Sequence, residues 1–239
     1  MNYSELSGAA LIETVARLAA RIRERFPAAG LARVAAELHQ ITERHAARSQ
    51  AILRPRWGLR LAGWLLLSAG IGTLILLLAS TRQHQGDWKL EDAVATLESG
   101  LSMLFFLGAT AVYVMSLELR SKRRRCLQAL HELRALAHIV DLHQLTKDPE
   151  QVLHPGQDTA SSPARVLTPF LLTRYLDYCS EMLSLIGKVA ALYAQSFPDP
   201  QAVDAVDDIE DLTTGLSRKI WQKIMILSSH APPHGGQAT

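Results

Sequence analysis

The chain has little of what marks most catalytic or cross-linked proteins. Its 239 residues include two cysteines, Cys126 and Cys179. That is too few for a disulfide framework or a four-thiolate zinc site. There is no Gly-rich nucleotide loop, Ser elbow, zinc-protease helix or Cys-x-x-Cys pair. Asn-Gly turns and long β-branched runs are also missing, which argues against strand hairpins. Between Gly100 and Lys147 there is no proline, and the only glycine past Gly100 is Gly108. These absences argue against an enzyme and for helix throughout, in a sequence rich in Ala, Leu, Arg and Glu.

Two apolar runs stand out against that background. Leu61–Ala79 has 19 residues and Gly100–Leu117 has 18, and neither contains a formal charge. A helix needs about 20 mostly apolar residues to cross a hydrocarbon core of ~30 Å, so each run predicts a span. Together with their short connection they predict a transmembrane helical hairpin. Mean hydropathy over the chain is only +0.07, as expected of an anchored protein with large polar parts. Neither run holds an Asp, Glu, Lys or His to mark an ion path.

Charge predicts the orientation. Arg44, Arg48, Arg54, Arg56 and Arg60 lie near the first run, and Arg120, Lys122, Arg123, Arg124 and Arg125 follow the second. The loop between offers only Arg82 and Lys89, beside Asp87, Glu91, Asp92 and Glu98. Basic flanks stay inside, so both termini are expected in the cytoplasm and residues 80–99 outside. Both cysteines are then cytoplasmic and expected as reduced thiols. About 60 polar residues before the first run argue against a signal peptide. With no organelle signal, the expected location is a bacterial inner membrane.

The expected organisation is N-terminal cytoplasmic helices at 1–56, a hairpin at 57–119, a stalk at 120–148, a linker at 149–168, an antiparallel helical hairpin at 169–228 and a disordered tail at 229–239. Within 57–119 the spans are 57–79 and 100–119, with the external loop at 80–99. Leu11, Val15, Leu18 and Ile22 form one helical stripe; Pro27 and Gly30 interrupt; Leu31, Val34, Leu38 and Ile41 resume it toward Pro55. Trp57, Trp64 and Trp88 suit the interfacial belt. Trp88, Glu91, Val94 and Leu97 predict a short amphipathic helix on the outer surface.

Past the arginines, Cys126, Leu130, Leu133, Ala137 and Val140 repeat at coiled-coil spacing. Thr168-Pro169 opens a helix whose seam is Leu172, Leu176, Cys179, Leu183, Ile186, Ala190, Tyr193 and Phe197. Pro198-Asp199-Pro200 stops it and starts another carrying Val203, Val206, Ile209, Leu216, Ile220, Ile224 and Leu227. The fold class is therefore an all-α membrane protein with a two-span hairpin and a cytoplasmic bundle on a coiled-coil-like stalk. The seams close either within one chain or between copies.

Candidate sites are of three kinds. His131, His138 and Asp141 share a helix face near His143 and offer imidazole and carboxylate to a divalent metal. A solvated or salt-bridged polar face is the favoured explanation, and no Glu-x-x-His pair supports a di-metal bundle. Lys122, Arg123, Arg124 and Arg125 suit anionic lipid head groups, with nucleic acid a poor alternative. Arg174, Tyr178 and Glu181, beside Tyr175 and Asp177, and Trp221 on the last helix, suit a protein partner or internal packing. On the last helix, acid at 204–211 and base at 218–223 complement the macrodipole; docking of 122–125 or cation binding is the sharper alternative. Ser68 and Gly72, with Gly63, Gly70, Gly108 and Ala111, predict close helix approach in the spans.

The function expected is a non-catalytic membrane-anchored scaffold or adaptor that self-associates and binds a protein partner, with no cofactor. A pore gated by the cytoplasmic helices, with Ser68, Thr73, Ser102 and Thr110 along one stripe, is the alternative, and a metal-binding bundle the third. In outline, a helical hairpin paired with cytoplasmic helices resembles the two-span effector domains known as SLATT. The resemblance is architectural and carries over no residue.

Overall fold

A computed structural model describes residues 5–53, 57–83, 90–153, 160–162 and 167–230. Among them are seven helices and no strand: α1 (Gly8–Arg25), α2 (Gly30–Leu53), α3 (Trp57–Gln83), α4 (Leu90–Leu145), α5 (Pro149–Leu153), α6 (Pro169–Ser196) and α7 (Pro200–Ser229). The chain divides into two compact units, residues 54–124 and the remainder, and α4 supplies residues to both. Trp88 and most of the tail lie outside the described residues.

Local chemistry sets the helix ends in the larger unit. Ser7 caps α1 by accepting the Ala10 amide at 3.4 Å, and Thr168 caps α6 by accepting that of Leu171 at 3.3 Å. Pro169 and Pro200 sit in the first turns, where a missing N–H costs nothing. The α1–α2 break falls at Pro27–Gly30, as the interrupted stripe predicts.

Helix α6 forms the centre of this unit. Its expected seam is buried from Leu172 to Tyr193, but so is another: Tyr175, Tyr178, Met182, Leu185, Val189 and Leu192. A helix apolar on two sides needs partners on both. One side takes α7, where Gly187 lets the helices approach so closely that an added Cβ would lie 3.2 Å from Thr213 Oγ1. The other takes α1 and α2. Helix α1 runs antiparallel to α6, since Leu6 meets Gln195, Arg21 meets Glu181 and Phe26 meets Tyr175. From α4, Cys126, Leu130, Leu133, Ala137 and Val140 are also fully enclosed. The seams of this bundle therefore close within one chain.

The smaller unit is built differently. Arg60 binds Glu118, an added Cβ at Gly63 would touch Val114, and one at Gly70 would collide with Leu107. Residue numbers rise on α3 as they fall on α4, so the two helices are antiparallel. The close approach uses Gly63 and Gly70, while Gly72 and Gly108 face open space. Of the small residues expected to allow close approach, Gly63 and Gly70 therefore meet α4. Within α4, Leu97–Leu145 is long and apolar enough to cross a membrane, and none of its most apolar window is buried. Arg60–Leu76 in α3 is a shorter apolar stretch.

Two boundaries differ from expectation. No break separates an outer-surface helix from the second apolar run: α4 passes through Gly100, since one helical glycine costs only about 1 kcal/mol. The expected linker at 149–168 begins with α5, which packs on α6 and α7; its residues 154–159 and 163–166 lie outside the described set. Asp148 accepts the Glu150 amide at 3.1 Å and so starts α5.

Ile186 is fully enclosed on α6. Ile186→Ala is expected to destabilise the bundle by about 2–5 kcal/mol in denaturant titrations of the detergent-solubilised chain. Phe170→Ala, at a residue that is 61% exposed, is expected to leave the midpoint nearly unchanged.

Candidate functional site

The polar groups inside the larger unit fall on lines that tie α4 to its neighbours. The α2 stripe does not end at Ile41 but continues through Thr42, His45, Ser49 and Ile52, all buried. Thr42 and Ser49 turn their hydroxyls back to the carbonyls of Leu38 and Ala46, at 2.7 and 3.0 Å. His45 instead reaches α4, with Nε2 3.1 Å from Glu132 Oε2, and Arg48 Nη1 donates to Glu132 Oε1 at 3.1 Å. On the other side of His45 the ring of Tyr193 stands edge to face, 5.6 Å away. His45 Nδ1 and the Tyr193 hydroxyl are the two buried side-chain atoms without a hydrogen-bond partner among the described residues.

Burial, the largest influence on His45, lowers its pKa and outweighs the opposing pull of Glu132. Burial works against ionised Glu132, yet the hydrogen bonds from His45 and Arg48 hold its carboxyl below the usual range. The pair therefore sits as a neutral imidazole and a carboxylate at neutral pH. Burial also pushes Cys126 up to about 11 and Cys179 up to about 12, so both are thiols rather than thiolates.

A further line joins α7 to α4. Lys223 Nζ donates to Gln144 Oε1 at 2.7 Å and to its carbonyl at 2.9 Å, and Gln144 Nε2 donates to Asp141 Oδ1 at 2.6 Å. Burial lowers the Lys223 pKa. Nearby, Arg134 Nη2 pairs with Asp208 at 2.9 Å, so acid at the start of α7 meets the stalk at Arg134.

The sequence candidates distribute as follows. His131 and His138 are exposed, and Asp141 is engaged by Gln144. Among the described residues, no group of three or more His, Cys, Asp or Glu is placed to hold a metal. Lys122 pairs with Glu118 at 3.0 Å, as does Arg60 at 3.3 Å; Arg124 and Arg125 are exposed, and Arg123 is partly covered. Tyr178 is not an exposed anchor: it is 5% exposed, edge to face with Phe26 at 6.2 Å and beneath Arg21 at 5.8 Å. Glu181 accepts from Arg21 at 2.6 Å. These two residues hold α1 on α6. Arg174 remains exposed, pairs with Asp177 at 3.4 Å and lies over Phe170, while Trp221 is 61% exposed. Ser68, Thr73 and Thr110 donate back to their own helix carbonyls.

Sequence reasoning missed the His45–Glu132–Tyr193 cluster. The signal was available, because Leu38, Thr42, His45, Ser49 and Ile52 keep helical core spacing with polar side chains in apolar positions. No protein-family model, curated protein or solved structure matches the chain.

Because the folded His45 pKa is lowered, the unfolded chain binds its proton first as pH falls. Stability is therefore expected to be independent of His45 above about pH 6.5 and to decline below it. Thermal melts between about pH 7.5 and 5 should show a steeper acid decline for the native chain than for His45→Gln, and parallel profiles would contradict this assignment.

Proposed function

We propose that the chain is a membrane-anchored, non-catalytic helical scaffold that presents a folded bundle to a protein partner. The observation that carries this reading is a contrast in where apolar side chains lie. In the smaller unit Leu65, Ile75, Phe105 and Met115 are 60–75% exposed, although two helices pack there. Water would penalise that surface by about 25 cal/mol per Å², whereas lipid would not. The larger unit encloses its seams. Anchoring fits the first pattern and a self-contained domain the other.

On this reading α3 and the first part of α4 form a two-span hairpin in a bacterial inner membrane. The clustering of basic residues outside 80–99 supports cytoplasmic termini. Lys122–Arg125 then meet anionic head groups at about 1 kcal/mol per charge. Gly72 and Gly108, open on their helices, give room for another copy of the hairpin.

The partner surface centres on Trp221 and Met225, neighbours one turn apart on α7 and 61% and 50% exposed. Exposed Trp is typical of binding hot spots.

Two measurements test the proposal. The full chain is expected to resist carbonate extraction, with reporter tags at Met1 and Thr239 both cytoplasmic; tags on opposite sides would overturn the two-span reading. Trp221→Ala with Met225→Ala is expected to abolish cross-linking to the partner without changing the melting temperature. Unchanged cross-linking would remove α7 as the docking surface.

A further inference from the structure

One groove of the larger unit lies apart from the proposed partner surface. It has a volume of about 480 Å³ and lies where the α1–α2 turn meets the end of α4 and the start of α6. Its lining includes Phe26, Gly30, Leu142, His143, Lys147 and Tyr175. Phe26 and Tyr175 are buried, with their rings edge to face at 5.5 Å. Leu142 is 64% exposed and supplies an apolar wall.

Two basic side chains, His143 and Lys147, are among the described residues that line this groove, and Arg33 acts on His143 from close by. Lys147 Nζ lies 5.5 Å from the centre of the Tyr175 ring. His143 has its pKa lowered by burial and then by the positive charges of Arg33 and Lys147, with no acid among its influences. Among the described residues, none of Arg33, His143 and Lys147 makes an ion pair. The acids on the same stretch, Asp141 and Asp148, accept from the Gln144 and Glu150 amides and act electrostatically on Lys223, while neither acts on His143. Gly30 packs against the imidazole: an added Cβ would lie 2.5 Å from His143 Cε1 and the ring would have to shift.

A basic edge beside a concave apolar site offers more than an inorganic ion uses. We propose that this groove binds a small organic anion, its carboxylate directed at Lys147 and Arg33 and its apolar body set against Phe26, Leu142 and Tyr175. Lys147 and Arg33 supply the charge recognition, and the aromatic pair supplies the shape. The inference is independent of the membrane reading, since every residue it uses belongs to the larger unit.

The test uses the full chain in detergent micelles, with benzoate as the probe and the imidazole proton shifts of His143 as the readout. Assignment comes from the signal lost in His143→Gln. Benzoate is expected to shift the signal saturably with a Kd of about 1 mM, a value suited to so small a ligand. Neutral benzamide and inorganic phosphate are each expected to bind at least about tenfold more weakly. Lys147→Gln, and separately Arg33→Gln, should weaken benzoate by about tenfold while leaving the melting temperature within a degree or two. Equal binding of benzamide would show that the basic groups are unused, and equal binding of phosphate that the apolar walls are. Either result, a full-affinity Lys147→Gln variant, or no saturable shift would overturn the proposal.

Discussion

Helix α6 shows water only the stripe through Phe170, Arg174, Ser184 and Lys188, and the larger unit is arranged around burying the rest. Its two apolar seams cannot both be covered by one neighbour. The Pro198–Pro200 turn folds α7 back onto one side, and α1 and α2 cover the other. Each added helix removes apolar surface from water at about 25 cal/mol per Å², a gain no single helix of this length achieves alone. The edges of the assembly are finished by polar contacts, such as Arg21 on Glu181 and the Tyr178 face.

Within that apolar frame the few polar lines do a different job. Glu132 ties α4 to α2, and Gln144 ties it to α7. Exposed ion pairs of this kind contribute little stability, and a partly buried one can cost as much as it returns. What they define is rotation and register: α4 turned by one residue would strand His45 and Lys223 without partners. Apolar seams alone tolerate such slips far better, because Leu and Ala pack in many ways.

Much of the helix plan was legible in the sequence, because helix ends are written in local chemistry. Ser7, Pro27, Thr168-Pro169 and Asp199-Pro200 all mark the ends that the structure shows. The central role of α6 was less legible, although Tyr175, Tyr178, Met182, Leu185, Val189 and Leu192 repeat at steps of three and four. One apolar seam already satisfies the pattern of a surface helix, and phenolic hydroxyls on the other side suggest solvent contact. The sequence therefore leaves Tyr178 open between a partner surface and internal packing, and the structure decides for packing: its ring is core and Arg21 covers it. The groove at Lys147 was illegible for another reason. Phe26, Arg33 and Tyr175 are far in sequence from His143 and Lys147, and only the tertiary fold brings them together.

Cys126 and Cys179 are both fully enclosed, on α4 and on the Leu172–Tyr193 seam of α6. An alkylating reagent reaches neither sulfur unless the helices part, and parting also removes the burial that keeps each thiol protonated. The native chain thus contains two internal clocks for its own breathing. Their labelling rates, compared between Cys126→Ala and Cys179→Ala backgrounds, time the loosening of α4 separately from that of α6, with no engineered probe added to the core.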